Sequence, residues 1–481
     1  MAAADRATTR ILEGPLAAEV LRFGAPIALG MALQTVFNLV DAYLLAQLPR
    51  TEVGPALGAL GICDQVAAIG TILSYGVSTA SAAAISQRKG AKDDEGVRRA
   101  AWQSLVLVGG LGALFALIGL SLGGPIMRGL IGAKGEVAEV GASYLRVIVG
   151  GSFTIFFLLQ LTSIQRALGS AKTPAALLVL GNVINFFLAV LFVFGPGPAP
   201  KYLSFMTGVA TSLHVPRMGM LGAAWATVIA RLLVLAPNVV ILLRRFQLLP
   251  PPGQRAPDGK ELRAMLGVAW PSSAQFVLRI AAGLFVQSMV ARAFTTESDQ
   301  TATTAMGLVF RLDTMAIFVA MGWGSAAQTF VGQNLGAANE LRARRSGLWT
   351  VLFDAVTNAL LFLFVLRFGE WVLRVFDDDD APVGIALRYL NVVAPSYLAL
   401  GVGIVLGNAM AGAGATRTTL ALDALVIFLF QVPICVVGVL AGWSIDALFR
   451  CVAVTNVVSA LAYVVAYQRI AWWKVKRAAT P

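Results

Sequence analysis

Asp41 is the single acid in LQTVFNLVDAYLLAQL, residues 33–48. The surrounding apolar run begins near Leu21, so a helix would carry this carboxylate about twenty residues along, inside a bilayer. An ionisable group at that depth costs about 3 kcal/mol on insertion scales, and it is paired, faces a cavity, or is functional. Gln34, Asn38, Asp41 and Leu45 are spaced four, three and four residues apart, which puts the three polar side chains on one helical face. Desolvation favours the protonated acid and an approaching cation favours the ionised one, so one carboxylate binds a proton or a cation in competition. That competition is the minimum that antiport requires. The alternative is a structural acid bonded to a neighbouring helix. Asn182 and Asn185, in GNVINFFLAV, share a face of another apolar segment. A further stripe, Ser272, Gln275, Arg279, Gly283 and Gln287, contains a guanidinium. Arg279 either pairs with an intramembrane acid such as Asp313, Asp354 or Asp423, or lines a cleft and favours an anionic or zwitterionic ligand.

The elements that hold these residues are apolar and long. Of 481 residues 58% are hydrophobic and 13% charged, against about 25% charged in an average soluble domain. Twelve apolar runs lie near 21–46, 56–86, 100–122, 140–165, 175–195, 219–243, 264–292, 302–332, 348–367, 384–411, 418–441 and 443–470. Each is long enough to span a membrane as a helix, so the expected class is all-α and polytopic. The net charge of +12 would suit a nucleic-acid binder, but Lys and Arg gather at the termini and in alternate loops: Arg88, Lys89, Arg98 and Arg99; Arg244 to Arg263; Arg342, Arg344 and Arg345. This positive-inside pattern predicts a multi-pass protein of the cell (inner) membrane with both termini cytoplasmic, the lipid bilayer as its surroundings and no nucleic-acid partner. The DDDD run at 377–380 then reads as a solvated outer loop end, and His214 as solvated in a long outer loop. Asp446 and Arg450 read as an i,i+4 pair, and Asp64 as part of a helix-packing seam with Thr71 and Ser78. Trp443, Trp472 and Trp473 read as interface anchors. Cys63, Cys435 and Cys451 all fall in spans and predict inert thiols. The sequence has no Walker A motif, no clustered metal ligands and no nucleophile–base set, so neither an ATP-driven pump nor an enzyme is expected, and no cofactor or metal beyond a coupling ion.

The chain is one unit written twice. AAAISQRKGAKDDEGVRRA (82–100) resembles AQTFVGQNLGAANELRARRS (327–346), with Gln87, Gly90, Arg98 and Arg99 aligned to Gln333, Gly336, Arg344 and Arg345 at an offset of 246. Pro26 pairs with Pro271, Tyr144 with Tyr389 and Gly169 with Gly414, each at 245. The register slips after residue 195, where the first half carries about twenty extra residues. Six spans repeated in the same orientation predict two six-helix lobes, 1–247 and 262–481, related by a pseudo-two-fold axis and joined by a cytoplasmic linker, 248–261. The linker's Pro and Gly content predicts an irregular, mostly extended tie. Facing lobes form a cleft that binds a small molecule and rocks to give alternating access. Gln34, Asn38, Gln275 and Arg279 are its candidate lining. Pro26 and Pro271 are candidate gating kinks, because each lacks an amide donor in mid-helix.

The paired SQRKGA and GQNLGA loops, the proline in the first helix of each half, RALGSAKTP (166–174) with AGAGATRTT (411–419), and Arg311-Leu312-Asp313 leading to VAMGWGSAAQ resemble the MATE (multidrug and toxic compound extrusion) family from about Leu12 to Ile470. The resemblance implies an exporter, expected as a monomer, that exchanges inward-flowing H⁺ or Na⁺ for an organic, typically cationic, compound. It implies an ion-coupling set of Asp41, Asn182 and Asn185. In the family an acid follows the fifth-helix asparagine by four residues, and here that position is Ala189, so proton coupling is favoured over sodium, which needs several hard oxygens. Some sodium-type relatives have glutamate where this chain has Arg279, which opens a second reading, export of an anionic or zwitterionic metabolite. A lipid-linked-precursor flippase of the wider superfamily is a third.

Overall fold

The computed structural model describes residues 2–296 and 298–469, without side-chain description at 2–4, 36–42, 50, 51, 57, 61 and 62. Asp41 and Asn38 therefore lie in a described helix while their side chains are outside the described residues, as are Trp472 and Trp473. Among the described residues the structure is helical, because in lipid every backbone N–H and C=O must be bonded within its own segment.

A short helix, α1 (Ala2–Glu13), precedes the first lobe. That lobe comprises α2 (Leu16–Ala46), α3 (Arg50–Gly90), α4 (Asp94–Pro125), the broken pair α5 (Gly135–Gly150) and α6 (Ser152–Ala167), α7 (Lys172–Phe194), α8 (Phe205–Ser212) and α9 (Met220–Arg244). The second lobe comprises α10 (Gly259–Phe294), α11 (Thr301–Gly336), α12 (Glu340–Arg374), the broken pair α13 (Asp380–Val393) and α14 (Tyr397–Gly412), α15 (Thr416–Val426) with α16 (Val432–Leu440), and α17 (Ile445–Arg469). Among the described residues twelve helical units are long and apolar enough to cross a membrane. The fourth unit of each half breaks at the same place in the repeat, at Gly151 and at Ala394–Ser396. α2 and α10 run unbroken through Pro26 and Pro271.

Several local expectations are corrected. The insert after residue 195 is not all loop: Met206 and Ala210, four apart, bury against the first lobe and draw residues 205–212 into α8. His214 follows it, exposed, with φ +54°. Asp446 does not pair with Arg450; Arg388 of α13 reaches its Oδ2 at 3.1 Å, an interhelical bond in place of a weak surface i,i+4 pair. Asp379 of the DDDD run accepts from Ala381 N and caps α13. Asp64 is exposed, so the proposed seam holds only at its far end, where Ser78 donates to Gln160 Oε1. All three cysteines are buried and free.

The apolar cores show how the lobes meet. One cluster, from Leu44 to Val228, lies wholly in the first lobe, and another, from Val290 to Phe449, wholly in the second. Both draw on the helix ends away from residues 88–99 and 336–345. Toward the end that carries those two segments the clusters are shared: Ala28 packs with Trp323 and Ala327, Phe23 with Phe330, Met265 with Ile85, and Tyr75 with Phe276. The molecule is thus closed at this loop end and divided into separate cores at the other.

Small residues make the closure possible, as at helix crossings in lipid generally. A Cβ on Gly90 would overlap the Gln333 carbonyl, and one on Gly336 would overlap that of Gln87. Repeat-related bonds flank the crossing: Gln87 Nε2 donates to Gly412 O at 2.9 Å and Gln333 Nε2 to Ala167 O at 2.8 Å. Deeper in, Gly76 faces Ser273 and Gly322 faces Ala28, again in repeat-related positions. A bidentate pair adds to this: Arg88 Nη1 and Nη2 each lie 2.8 Å from a Glu261 oxygen, with both side chains 9% exposed. The linker is held where Trp102 Nε1 donates to Arg255 O and Gln103 Nε2 to Ala256 O, both at 2.8 Å.

The glycine crossing makes a direct prediction. Gly90→Val forces a side chain into the Gln333 backbone, an overpacking cost of about 1–3 kcal/mol that falls only on the closed end. Spin labels placed at the exposed positions Glu95 and Leu341 should report a longer-distance population absent from the wild type. Identical distance distributions would show that the crossing does not govern closure.

Candidate functional site

In the first lobe the polar face of α2 meets α7. Asn182 Nδ2 donates to Gln34 Oε1 at 3.1 Å, so the two stripes recognised in the sequence come together. Asn185 lies one turn further along the same face of α7, which points toward the part of α2 that carries Asn38 and Asp41 in the same helical register. Ala189, the position where an acid would add a second carboxylate, is 1% exposed inside the lobe's core.

The second lobe is built differently. Arg279 of α10 pairs with Asp423 of α15, Nε to Oδ2 at 2.6 Å and Nη2 to Oδ1 at 3.2 Å. Gln275, one turn earlier, donates to Asp423 Oδ2 and to the Tyr463 hydroxyl, each at 2.9 Å. Tyr463 of α17 donates to Asp423 Oδ1 at 2.8 Å, and Thr419 closes the ring by donating to Gln275 Oε1 at 3.1 Å. Both oxygens of a nearly buried carboxylate on α15 are thereby filled from two other helices, α10 and α17, which is the condition for a charge pair to persist in a low-dielectric interior. The Asp423 side chain is 4% exposed and that of Arg279 30%, so Arg279 is the more accessible member of the pair. Of the three acids that the sequence offered to Arg279, the structure selects Asp423. Asp313 instead accepts from the hydroxyls of Tyr389 and Tyr397, both at 2.6 Å, and Asp354 takes only Asn358 Nδ2 at 3.0 Å. Sequence reasoning missed Tyr463 and Thr419. Thr419 and Asp423 are four apart in an apolar span, which was a usable signal; Tyr463, one of two tyrosines in α17, was not.

Two six-helix lobes joined at one end, each with polar side chains bonded between its helices, are the architecture of a membrane transporter that handles small molecules. The MatE family profile matches residues 26–191 and 271–437, one match per repeat, and the chain belongs to that family of transporters. It is 26% identical over 423 residues, 88% of each chain, to the probable multidrug resistance protein YpnP of Bacillus subtilis. To an FAD transporter of Shewanella oneidensis it is 23% identical over 464 residues, 96% of each chain. A solved structure described as the outward-facing conformation of a multidrug resistance MATE family transporter superposes with a TM-score of 0.83 at 22% identity, covering 97% of this chain and 98% of that one.

The network can be tested without a substrate. Asp423→Asn leaves Arg279 without a counter-charge and should lower the melting temperature in detergent; the loss should fall at or below about 3 kcal/mol, since the Arg279 side chain is only partly buried. The double variant Arg279→Met/Asp423→Leu should lose less than the sum of the two single changes. Simple additivity would mean the pair contributes no coupling.

Proposed function

We propose that the protein exports a small organic compound in exchange for an inward-moving ion, by rocking of its two lobes, with Asp41 as the group where ion and substrate compete. The observation that carries this reading is the Gln34–Asn182 bond, which joins α2 to α7 on the face that Asp41 shares by sequence register. H⁺ is the proposed ion: Ala189 supplies no second carboxylate, and a single titrating group suffices for a proton but makes a poor Na⁺ cage. The substrate proposed is an organic cation, as the multidrug names of relatives suggest. In this reading the protein is a monomer, both termini and the linker are cytoplasmic, and the loop end closes toward the cytoplasm.

A second reading has its own support. Arg279 is the more accessible member of its pair, and a phosphate or carboxylate group could replace Asp423 as its partner. A relative named as an FAD transporter handles a ligand of that charge type.

Proteoliposomes with separately imposed H⁺ and Na⁺ gradients test both. Asp41→Asn should insert normally and lose gradient-driven export at least tenfold while still binding substrate. Export at the wild-type rate would move the coupling site elsewhere. Arg279→Gln should leave export of cations intact under the first reading and abolish export of anions under the second.

A further inference from the structure

The second lobe contains a carboxylate that the network around Arg279 leaves unused. Asp354, in the middle of α12, is 0% exposed, as is Asn358 one turn later. Asn358 Nδ2 donates to Asp354 Oδ1 at 3.0 Å, yet Asp354 Oδ2 and Asn358 Oδ1 both lack a partner. Oδ2 is pressed against α14, where a Cβ added to Gly401 would strike it. Two neighbouring buried acceptors without a donor are expensive, about 1–3 kcal/mol each and more for an ionised group. An ionised aspartate has only acceptors to offer, so it cannot relieve either.

No charge nearby offsets this. On α12 itself Asp354 is the single charged residue between Arg345 and Arg367. α14 has no charged residue. α11 presents Trp323 to this turn, and its charged residues, Arg311 and Asp313, lie ten or more positions away, about 15 Å along the helix. α2 meets α12 at Phe353 and carries Glu19 and Arg22 toward the loop end, with Asp41 at the other. On α13, Arg388 is paired with Asp446 and Asp380 with Arg374. The two other membrane acids of the lobe are occupied, Asp423 by Arg279 and Asp313 by its two tyrosines.

We propose that Asp354 is a second proton-binding site of this protein, loaded in the loop-end-closed conformation with its proton on Oδ2. A proton on Oδ2 gives the pair the donor it lacks and removes the charge, with the Asn358 amide still donating to Oδ1. The site is tied to lobe closure. The Thr357 hydroxyl donates to the Asp354 carbonyl at 2.9 Å and accepts from Trp323 Nε1 at 3.0 Å. The Trp323 ring in turn fills the space left by Gly24 on α2 of the other lobe. Releasing the proton to water requires α12 and α14 to part, which disturbs the seat of Trp323. The inference is independent of the role proposed for Asp41.

Infrared spectra of the full chain in lipid, labelled with ¹³C-aspartate and carrying Asp41→Asn to remove that contribution, test it. The expected result at neutral pH is a protonated-carboxyl band that shifts with the isotope, disappears in Asp354→Asn, and moves to higher frequency in Asn358→Leu, where the amide partner is gone. Absence of an isotope-sensitive band overturns the proposal, as does a band unchanged in folded Asp354→Asn. If that variant does not fold, a band unmoved by Asn358→Leu overturns it. Because no gradient or substrate is used, failure here is distinct from failure of the antiport reading.

Discussion

Backbone-to-backbone approach at the loop end is the constraint on which the rest of the molecule depends. Two long helices, α3 and α11, can cross there because Gly90 and Gly336 carry no side chains, and each glycine lies on the carbonyl of the other half's glutamine. In lipid there is no hydrophobic gain from bringing apolar helices together, so close packing and interhelical hydrogen bonds must hold them. The crossing supplies both, twice over, because the repeat places the same donors on each side of the axis: Gln87 on Gly412 and Gln333 on Ala167. That end is locked by packing shared between the lobes, while the distal cores are separate.

The lobes are alike in helix order and unlike in chemistry. The first joins amides from two helices, Gln34 of α2 and Asn182 of α7. The second commits one acid to an arginine, one to two tyrosines and leaves one sealed against a glycine, so its polar groups are largely spent on each other. A duplicated scaffold has thus diverged in its site residues while keeping the small residues at the crossing. A side chain at either crossing glycine, Gly90 or Gly336, would overlap the backbone of the other lobe, whereas a changed site residue acts within its own lobe.

Much was legible before any coordinates. Composition and run length determine an all-helical membrane protein, since nothing but helices or closed barrels satisfies the backbone in lipid. The offset of 245 residues determines two parallel six-span units. The spacing of Gln34, Asn38 and Asp41, and of Asn182 and Asn185, determines which groups share a face, because the helical period is local. The i,i+4 reading of Asp446 and Arg450 failed for the same reason that it was attractive: it considered one helix, and Arg388 comes from another.

What the tertiary structure decided were the pairings between helices. Arg279 had three acids to choose from by sequence, and only the placement of α15 and α17 around α10 selects Asp423 and adds Tyr463. Asp354 reads in the sequence like any other intramembrane acid; its isolation emerges only when α14 brings a glycine, and no donor, against its second oxygen. The closed loop end likewise follows from which glycines meet which carbonyls across nearly 250 residues of chain. Sequence encodes each helix's face through a period of a few residues, but the partner that face meets depends on side-chain volumes summed over the whole bundle, and those become readable only when the helices are packed.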